Sequence, residues 1–297
     1  MSGILAASDP SGRIACVAPG GAGRWGQRMD RFVGLIGIVV LLLTALALST
    51  NRRRINLRLV GWGMVLQFVL AYLLLKFEPV SNQFNYLAAG VNKVISFADS
   101  GTQFLFGNNL PDPSGPWGFV FAVKVLPIIV FFAALMAVLY HLGIMQKVVS
   151  LLARGLSRTM GISGPEALST VGDIFLGMTE APLLIRPYVA RMTQSELFTV
   201  MSAGMATIAG SVLLAYVAMG IDAGYLVTAS FMSAPAAVLI AKIMVPETET
   251  PATAGLVGID VPRLDVNVID AAARGAGEGL QLALNVGAML LAFVALV

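Results

Sequence analysis

Cysteine and charged residues are scarce in this 297-residue chain, and each scarcity excludes a class of protein. A single cysteine, Cys16, cannot build an internal disulfide framework or a cysteine metal site. Charged residues make up 12% of the chain, whereas soluble globular proteins average about 25%. The net charge is only +3, and the basic residues cluster beside apolar runs, which argues against nucleic acid as a partner.

What the chain has in quantity is apolar sequence: 57% of its residues are hydrophobic, the composition of an all-α integral membrane protein. Six apolar runs are each near the ~20 residues that a helix needs to cross the hydrocarbon. The predicted spans are 33–50, 59–77, 118–141, 197–219, 225–245 and 279–297. The first is followed by NRRRINLR and by no small-residue cleavage site, so we interpret it as a stop-transfer anchor.

Loop charges predict the orientation of a multi-pass protein of the cell inner (plasma) membrane. Arginines in 51–58 and basic residues in 142–196 and 246–278 place these loops in the cytoplasm, whereas 78–117 and 220–224 carry few basic residues. The N-terminus is then outside. Residues 1–28 are rich in Gly, Ala and Ser without periodicity, so we expect a disordered or extraneous tail with Met29 as the natural start.

Three segments are not full spans. A helical apolar stripe in 89–107 suggests a helix in the outer interface, and 143–160 has an amphipathic pattern. Residues 163–191 are expected to enter and leave the membrane from the cytoplasmic side as a re-entrant helical hairpin. Its first arm begins at Ser163-Gly-Pro-Glu166, a sequence suited to a helix N-terminus.

Glu180 lies within that hairpin, in a run that is otherwise apolar. Gly172, Gly177, Pro182 and Pro187 break the run into pieces too short to cross a bilayer alone. Because an acid is costly to bury at membrane depth, and broken helices are tolerated there only inside protein or beside water, this pattern predicts a transporter binding site.

Around Glu180 the chain resembles the concentrative nucleoside transporters, over about 29–297. The matching motifs are Gly177, Thr179-Glu180-Ala181-Pro182, Arg186-Pro187-Tyr188, MATIAGSV at 205–212, Ala215-Tyr216-Val217 and LNVGAML at 284–290. The resemblance implies a homotrimeric secondary transporter of nucleosides in the lipid bilayer. A scaffold holds the trimer, and a mobile part carries the substrate in elevator fashion.

The resemblance also implies a division of the chain. Scaffold helices occupy 29–141, with the interfacial helix near 89–107, and transport elements occupy 142–245. A cytoplasmic loop follows at 246–278, and the last scaffold span starts at 279–297. Members of the family have two oppositely oriented hairpins, and the matched sequence contains the first. We therefore expect half of an inverted-repeat transporter, from a fragment or an interrupted gene.

The resemblance assigns substrate-binding residues to the hairpin tip. Met178, Thr179 and Glu180 occupy positions that face the nucleobase in the family, and Val212 is a candidate apolar contact. Thr179 offers a donor and an acceptor, and Glu180 an acceptor, which suits the amide-like edge of a base. Met178 stands where the family has an amide, and a thioether bonds only weakly.

A cation site is implied next to the hairpin tip, and no organic cofactor is. The matching positions are Asp173, Leu176, Thr207 and Ile208, where backbone carbonyls at the tip and at a break in the next span hold sodium. The family more often has Asn at position 173. An Asp there can strengthen cation binding or titrate and couple transport to protons, and the sequence leaves both open.

Three functional interpretations remain open: a sodium- or proton-coupled nucleoside symporter, an uncoupled nucleoside-permeable pore or gate, and an inactive truncated fragment. An intramembrane enzyme acting through Glu180 is disfavoured. No His-Glu metal motif, Ser/Lys pair or paired-Asp constellation accompanies that residue in the sequence.

Overall fold

The computed structural model describes residues 24–110, 116–178, 180–253 and 265–297, and within these ranges every regular element is helical. The α-helices are α1 (Arg24–Ala47), α2 (Leu57–Leu75), α3 (Glu78–Phe106), α4 (Phe121–Lys124), α5 (Leu126–His141), α6 (Ile144–Met160), α7 (Gly164–Gly172), α8 (Gln194–Ala206), α9 (Gly210–Ala218), α10 (Ala223–Met244) and α11 (Val268–Leu296). α1 begins inside the segment expected to be a tail, and residues 1–23 lie outside the described ranges.

Among the described residues, five helical segments are long and apolar enough to cross a membrane. They are Leu57–Leu74, Phe121–His141, Gln194–Ala218, Ala223–Met244 and Val268–Leu296. Each overlaps a predicted span. The remaining predicted span, 33–50, falls on α1, whose apolar stretch Ile36–Ala47 is shorter than the others. Large apolar side chains such as Trp62 and Leu291 point outward, as expected for helices that face lipid.

Two helices differ in length from the sequence prediction. α3 extends the expected helix of 89–107 backwards to Glu78, and α11 begins at Val268, inside the segment expected to be a loop. The start of α11 has a local cause, because the Asn267 side chain accepts a 2.9 Å hydrogen bond from the amide of Asp270. On α3, the buried Ile95 packs with α5 and α9, whereas Phe104, near the end of the helix, is 89% exposed.

α5 and α11 pack closely through small residues. A Cβ atom on Gly275 would lie 2.6 Å from the Cβ of Ala137, and one on Gly279 would lie 2.7 Å from the Cβ of Ala133. Because real Cβ atoms do not approach so closely, these glycines are what allows the two helices to touch. The tight contact fixes the rotation of α11, and with it the directions of Arg274 and Glu278, which lie next to these glycines.

The segment 163–191, predicted to be a re-entrant hairpin, folds back on itself, but its two arms differ. α7 is the first arm, and Ser163 and Glu166 cap its start reciprocally. The second arm consists of 3-10 turns, Ala181–Ile185 and Val189–Arg191, in place of the expected α-helix. Prolines explain the difference, because Pro182 and Pro187 lack the N–H that an α-helix interior requires.

A buried lysine ties one end of each of three helices together. Lys242 of α10 is 6% exposed, and its Nζ lies 2.5 Å from Oε1 of Glu166, which is 1% exposed. Nζ also donates a 3.0 Å hydrogen bond to Oγ of Ser195 on α8 and lies 3.4 Å from Oε2 of Glu247. The same Glu166 caps α7, so α7, α8 and α10 are joined at one point.

Candidate functional site

Asp173 follows directly after α7 and is almost fully buried, with 1% of its surface exposed. Neither carboxylate oxygen has a hydrogen-bond partner in the part of the chain that the structure describes. Leaving a buried carboxylate unpaired is costly, because no solvent or donor compensates its charge. A proton or a bound cation would remove that cost.

The glycine at position 204 brings the hairpin tip against α8. A Cβ atom on Gly204 would lie 2.9 Å from the Cβ of Met178 and 3.7 Å from Oδ1 of Asp173. A side chain at this position would therefore displace the hairpin tip. Met178, predicted to bind the substrate, and Asp173, predicted to bind the cation, therefore both lie against α8 at Gly204.

The helix that begins with α8 is interrupted at residues 207–209, where the family resemblance implied a break. Thr207 has an extended backbone, with φ −108° and ψ 157°. Its hydroxyl donates a 2.9 Å hydrogen bond to the carbonyl of Ala203, so the oxygen lone pairs remain free to accept or coordinate. An interrupted helix also releases carbonyl groups from the helical ladder, and such groups attract cations.

A hydrogen bond connects this break to the hairpin tip. The amide of Gly210, the first residue of α9, donates to the carbonyl of Phe175 at 3.3 Å. A Cβ atom on Gly210 would lie 2.6 Å from that carbonyl oxygen. The predicted cation positions 173, 176, 207 and 208 thus belong to two segments that meet at this contact.

Glu180 faces a different space, a cavity between the hairpin tip and helices α5 and α11. Leu176 of the hairpin, Tyr140 of α5, and Arg274 and Glu278 of α11 also line it. Glu180 is half-buried and forms no ion pair within the described residues. Its carboxylate is available to a ligand in the cavity.

Arg274 organises the charges on the far side of this cavity. Its guanidinium makes a two-pronged contact with Asp265, with nitrogen–oxygen distances of 2.7 and 2.9 Å, and reaches Oε1 of Glu278 at 2.8 Å. The hydrogen bonds from Arg274 hold the pKa of Asp265 below its usual range. Asp265 therefore remains ionised and fixes the guanidinium in place.

Neither Arg274 nor Glu278 was predicted from the sequence to be a site residue, and the charge of Arg274 indicated only the orientation of a loop. One signal was available, because an oppositely charged pair four residues apart is unusual at the start of an apolar helix.

Of the predicted substrate residues, Thr179 lies outside the described residues. Met178 is 60% exposed, and Val212, half-buried on α9, is not among the residues that line the Glu180 cavity.

Three family models match successive parts of the chain. "Na+ dependent nucleoside transporter N-terminus" matches residues 36–109, "Nucleoside recognition" matches 122–223, and "Na+ dependent nucleoside transporter C-terminus" matches 225–297. Together they span the hairpin, the break and both walls of the cavity.

Similar proteins come from bacteria and mammals. An "Uncharacterized transporter" of Haemophilus influenzae is 49% identical over 91% of this chain and 64% of its own length. "Nucleoside permease NupC" of Helicobacter pylori is 46% identical over 88% and 62%. "Sodium/nucleoside cotransporter 2" of Rattus norvegicus is 41% identical over 91% and 40%. The chain thus spans less than two thirds of the length of these relatives.

Solved structures of a protein called CNTnw share the fold. An inward-facing, substrate-bound state matches with a TM-score of 0.85 and 45% identity, over 91% of this chain and 65% of that one. An outward-facing variant matches with a TM-score of 0.84 at the same identity and coverage. With these matches, the chain is a helical, multi-pass membrane protein that belongs to the concentrative nucleoside transporter family.

Proposed function

We propose that the protein moves nucleosides across the cell inner membrane by symport with sodium ions or protons. The observation that carries the proposal is the buried carboxylate of Asp173, which lacks a partner among the described residues and lies beside the broken helix. A membrane protein retains an unpaired buried carboxylate when a transported cation or proton neutralises its charge. Sequence similarity to proteins named nucleoside permease and sodium/nucleoside cotransporter supports the substrate class.

The cation is proposed to bind between the hairpin tip and the break, at Asp173, Leu176, Thr207 and Ile208. Because Thr207 Oγ1 donates its proton to the carbonyl of Ala203, the lone pairs of this oxygen are free to coordinate a cation. The hydrogen bond between Gly210 and Phe175 supports the idea that both halves of the site are held together.

The nucleoside is proposed to bind at Met178, Thr179 and Glu180, with Val212 as an apolar contact. Glu180 offers an acceptor toward an open cavity, and Met178 has an exposed side chain at the tip. Met178 and Asp173 contact the same turn of α8 at Gly204, so ion and substrate occupancy would affect the same few atoms. Such proximity is a physical basis for coupling, because each ligand stabilises the arrangement that the other needs.

Movement is proposed to follow the division into a scaffold and a transport part, in a homotrimer. The tight glycine contacts between α5 and α11 support a rigid scaffold. The Lys242 network supports a transport part in which α7, α8 and α10 move as one body. Elevator motion requires these two units to slide past each other without internal rearrangement.

An uncoupled nucleoside pore is the second candidate, favoured by the match of residues 122–223 to the "Nucleoside recognition" model. The deciding experiment is uptake of radiolabelled uridine and adenosine by cells that lack their own nucleoside transporters. Symport predicts accumulation above the external concentration and its loss when ionophores collapse the sodium and proton gradients. A pore predicts equilibration that ionophores do not change. We would test the complete gene product and the 297-residue chain in parallel, because an inactive fragment predicts activity in the former alone.

A further inference from the structure

The cavity at Glu180 has a second polar wall, which lies on the scaffold side and not on the hairpin. Arg274 and Glu278 of α11 and Tyr140 of α5 form this wall, with Gln146 of α6 beside them. We infer that it is a second nucleoside-binding station, which holds the solute on the cytoplasmic side between the transport site and the cell interior. This inference rests on the proposed function.

Two atoms of this wall lack the hydrogen bonds that buried polar atoms normally make. Tyr140 Oη and Gln146 Oε1 are both buried, and neither has a partner within the described ranges. The Gln146 amide is held in place, because its Nε2 donates a 2.7 Å hydrogen bond to the carbonyl of Tyr140. An unpaired buried oxygen is costly, and a ligand in the cavity that hydrogen-bonds to it removes that cost.

Glu278 adds an acceptor that is open to the cavity. Its side chain is 60% exposed, and its Oε1 accepts a hydrogen bond from Arg274 at 2.8 Å. The second carboxylate oxygen remains free to accept from a solute. Glu180 offers the same chemistry from the opposite wall, so a solute with several hydroxyl donors can pass from the Glu180 carboxylate to that of Glu278.

The remaining lining is His141 and an apolar wall that lies beside the polar groups. The apolar wall consists of Ala133, Met136, Ala137, Leu176, Leu183 and Leu184. A ligand with one flat, weakly polar face and one hydroxyl-rich end matches this division. A nucleoside has both, with its base suited to the apolar side and its ribose hydroxyls to the carboxylates.

The charge of the cavity also selects against phosphorylated solutes. Three carboxylates, on Glu180, Asp265 and Glu278, face one guanidinium, on Arg274, and that guanidinium is already engaged by Asp265 and Glu278. A phosphate group would find the guanidinium already paired and would be repelled by the three carboxylates. The station therefore favours nucleosides over nucleotides.

The position of these residues along their helices places the station toward one side of the membrane. Tyr140 lies one residue before the end of α5, and Arg274 and Glu278 lie in the first three turns of α11. By the loop-charge prediction, both helix ends face the cytoplasm. A solute arriving from outside meets the hairpin tip first and this wall only on leaving.

The test compares the two faces of the membrane. Right-side-out vesicles containing the complete gene product are assayed for uridine uptake and, after preloading, for uridine efflux. Tyr140→Phe removes one hydroxyl, and Glu278→Gln removes one charge without changing side-chain length. Each is expected to raise the half-saturating internal uridine concentration for efflux about three- to tenfold, the range for one lost hydrogen bond. The half-saturating external concentration for uptake stays unchanged.

Matched controls are Tyr225→Phe and Glu249→Gln, which make the same chemical changes at exposed positions away from the cavity. The inference is overturned if the half-saturating internal uridine concentration for efflux is unchanged in both test variants. It is also overturned if this concentration and the half-saturating external concentration for uptake shift equally. Immunoblots of the vesicles confirm equal amounts of protein, and the conservative Tyr140→Phe change keeps the shape of the side chain. Uptake by wild type that Glu180→Gln abolishes supports the proposed function independently, whereas no nucleoside movement by wild type contradicts both proposals.

Discussion

The amide of Gly210 donates a hydrogen bond to the carbonyl of Phe175 at 3.3 Å, and this contact joins the break after α8 to the hairpin tip. The two segments are more than thirty residues apart in the chain. Through them, the buried carboxylate of Asp173 and the unwound residues 207–209 belong to one small region. Any change that separates these segments is expected to weaken ion binding before it affects folding.

Gly210→Ala tests that contact. The added Cβ would lie 2.6 Å from both the Phe175 oxygen and the Cζ of Phe132, so the hairpin tip must move. We expect the variant to require several-fold more sodium, or a lower external pH, for half-maximal uptake. Gly277→Ala is the matched control, because no atom lies within 4 Å of its added Cβ. Equal ion dependence in the two variants would show that this contact does not shape the site.

Asp173→Asn keeps the shape of the side chain and removes one charge. Coulomb attraction at about 4 Å is worth about 4 kcal/mol at an effective dielectric near 20, before the cost of desolvation is subtracted. If sodium is the coupled ion, the variant should need more sodium for half-maximal uptake. If protons are coupled, it should lose the acceleration of uptake at low external pH and gain no sodium dependence.

A sodium titration of uptake at two pH values separates these outcomes for Asp173→Asn. Asp270→Asn serves as the control, since Asp270 is exposed at the start of α11. Sodium and pH profiles identical to wild type would assign Asp173 a purely structural role at the end of α7.

Met178→Gln is expected to shift the preference among bases. The side chain is 60% exposed at the hairpin tip, so the substitution does not disturb the core. An amide provides two donors and an acceptor where a thioether provides almost none, and one hydrogen bond to a base edge is worth roughly 0.5–1.5 kcal/mol. Competition of labelled uridine uptake by cytidine and adenosine measures the shift. Unchanged ratios of inhibition would mean that position 178 does not contact the base.

Lys242→Met should destabilise the protein more than a surface substitution does. It leaves Glu166, which is 1% exposed, without its partner at 2.5 Å, and breaking a buried ion pair costs about 3–5 kcal/mol. Adding Glu166→Gln to the variant removes the uncompensated charge and should restore part of the lost stability. Thermal unfolding of the purified protein in detergent gives the comparison. A single variant as stable as wild type would show that Lys242 does not hold the three helices together.

The sequence predicted the spans well because their signal is local. Apolar runs and loop charges can be counted residue by residue, and the five described spanning segments overlap the predicted ones. The Ser163–Glu166 capping box was equally local and is present. The second hairpin arm was predicted less well, since an apolar segment rich in proline can form either a kinked helix or 3-10 turns.

Contacts between distant parts of the chain could not be predicted from the sequence. Lys242 and Glu166 are 76 residues apart, and neither sequence position indicates the other. The cavity wall on α11 depends on the rotation of that helix, which the contact of Gly275 and Gly279 with α5 determines. The family resemblance supplied the predicted site residues of the hairpin but said nothing about Arg274 and Glu278.

The most direct test of the account is nucleoside uptake by Glu180→Gln. Glu180 faces the cavity without an ion pair among the described residues, and a ligand-binding role explains its presence there. We predict that the variant reaches the membrane in normal amounts but takes up uridine and adenosine far more slowly than wild type at limiting substrate. Glu249→Gln, at an exposed position, should behave like wild type. A Glu180→Gln variant that transports both nucleosides at the wild-type rate would contradict the account.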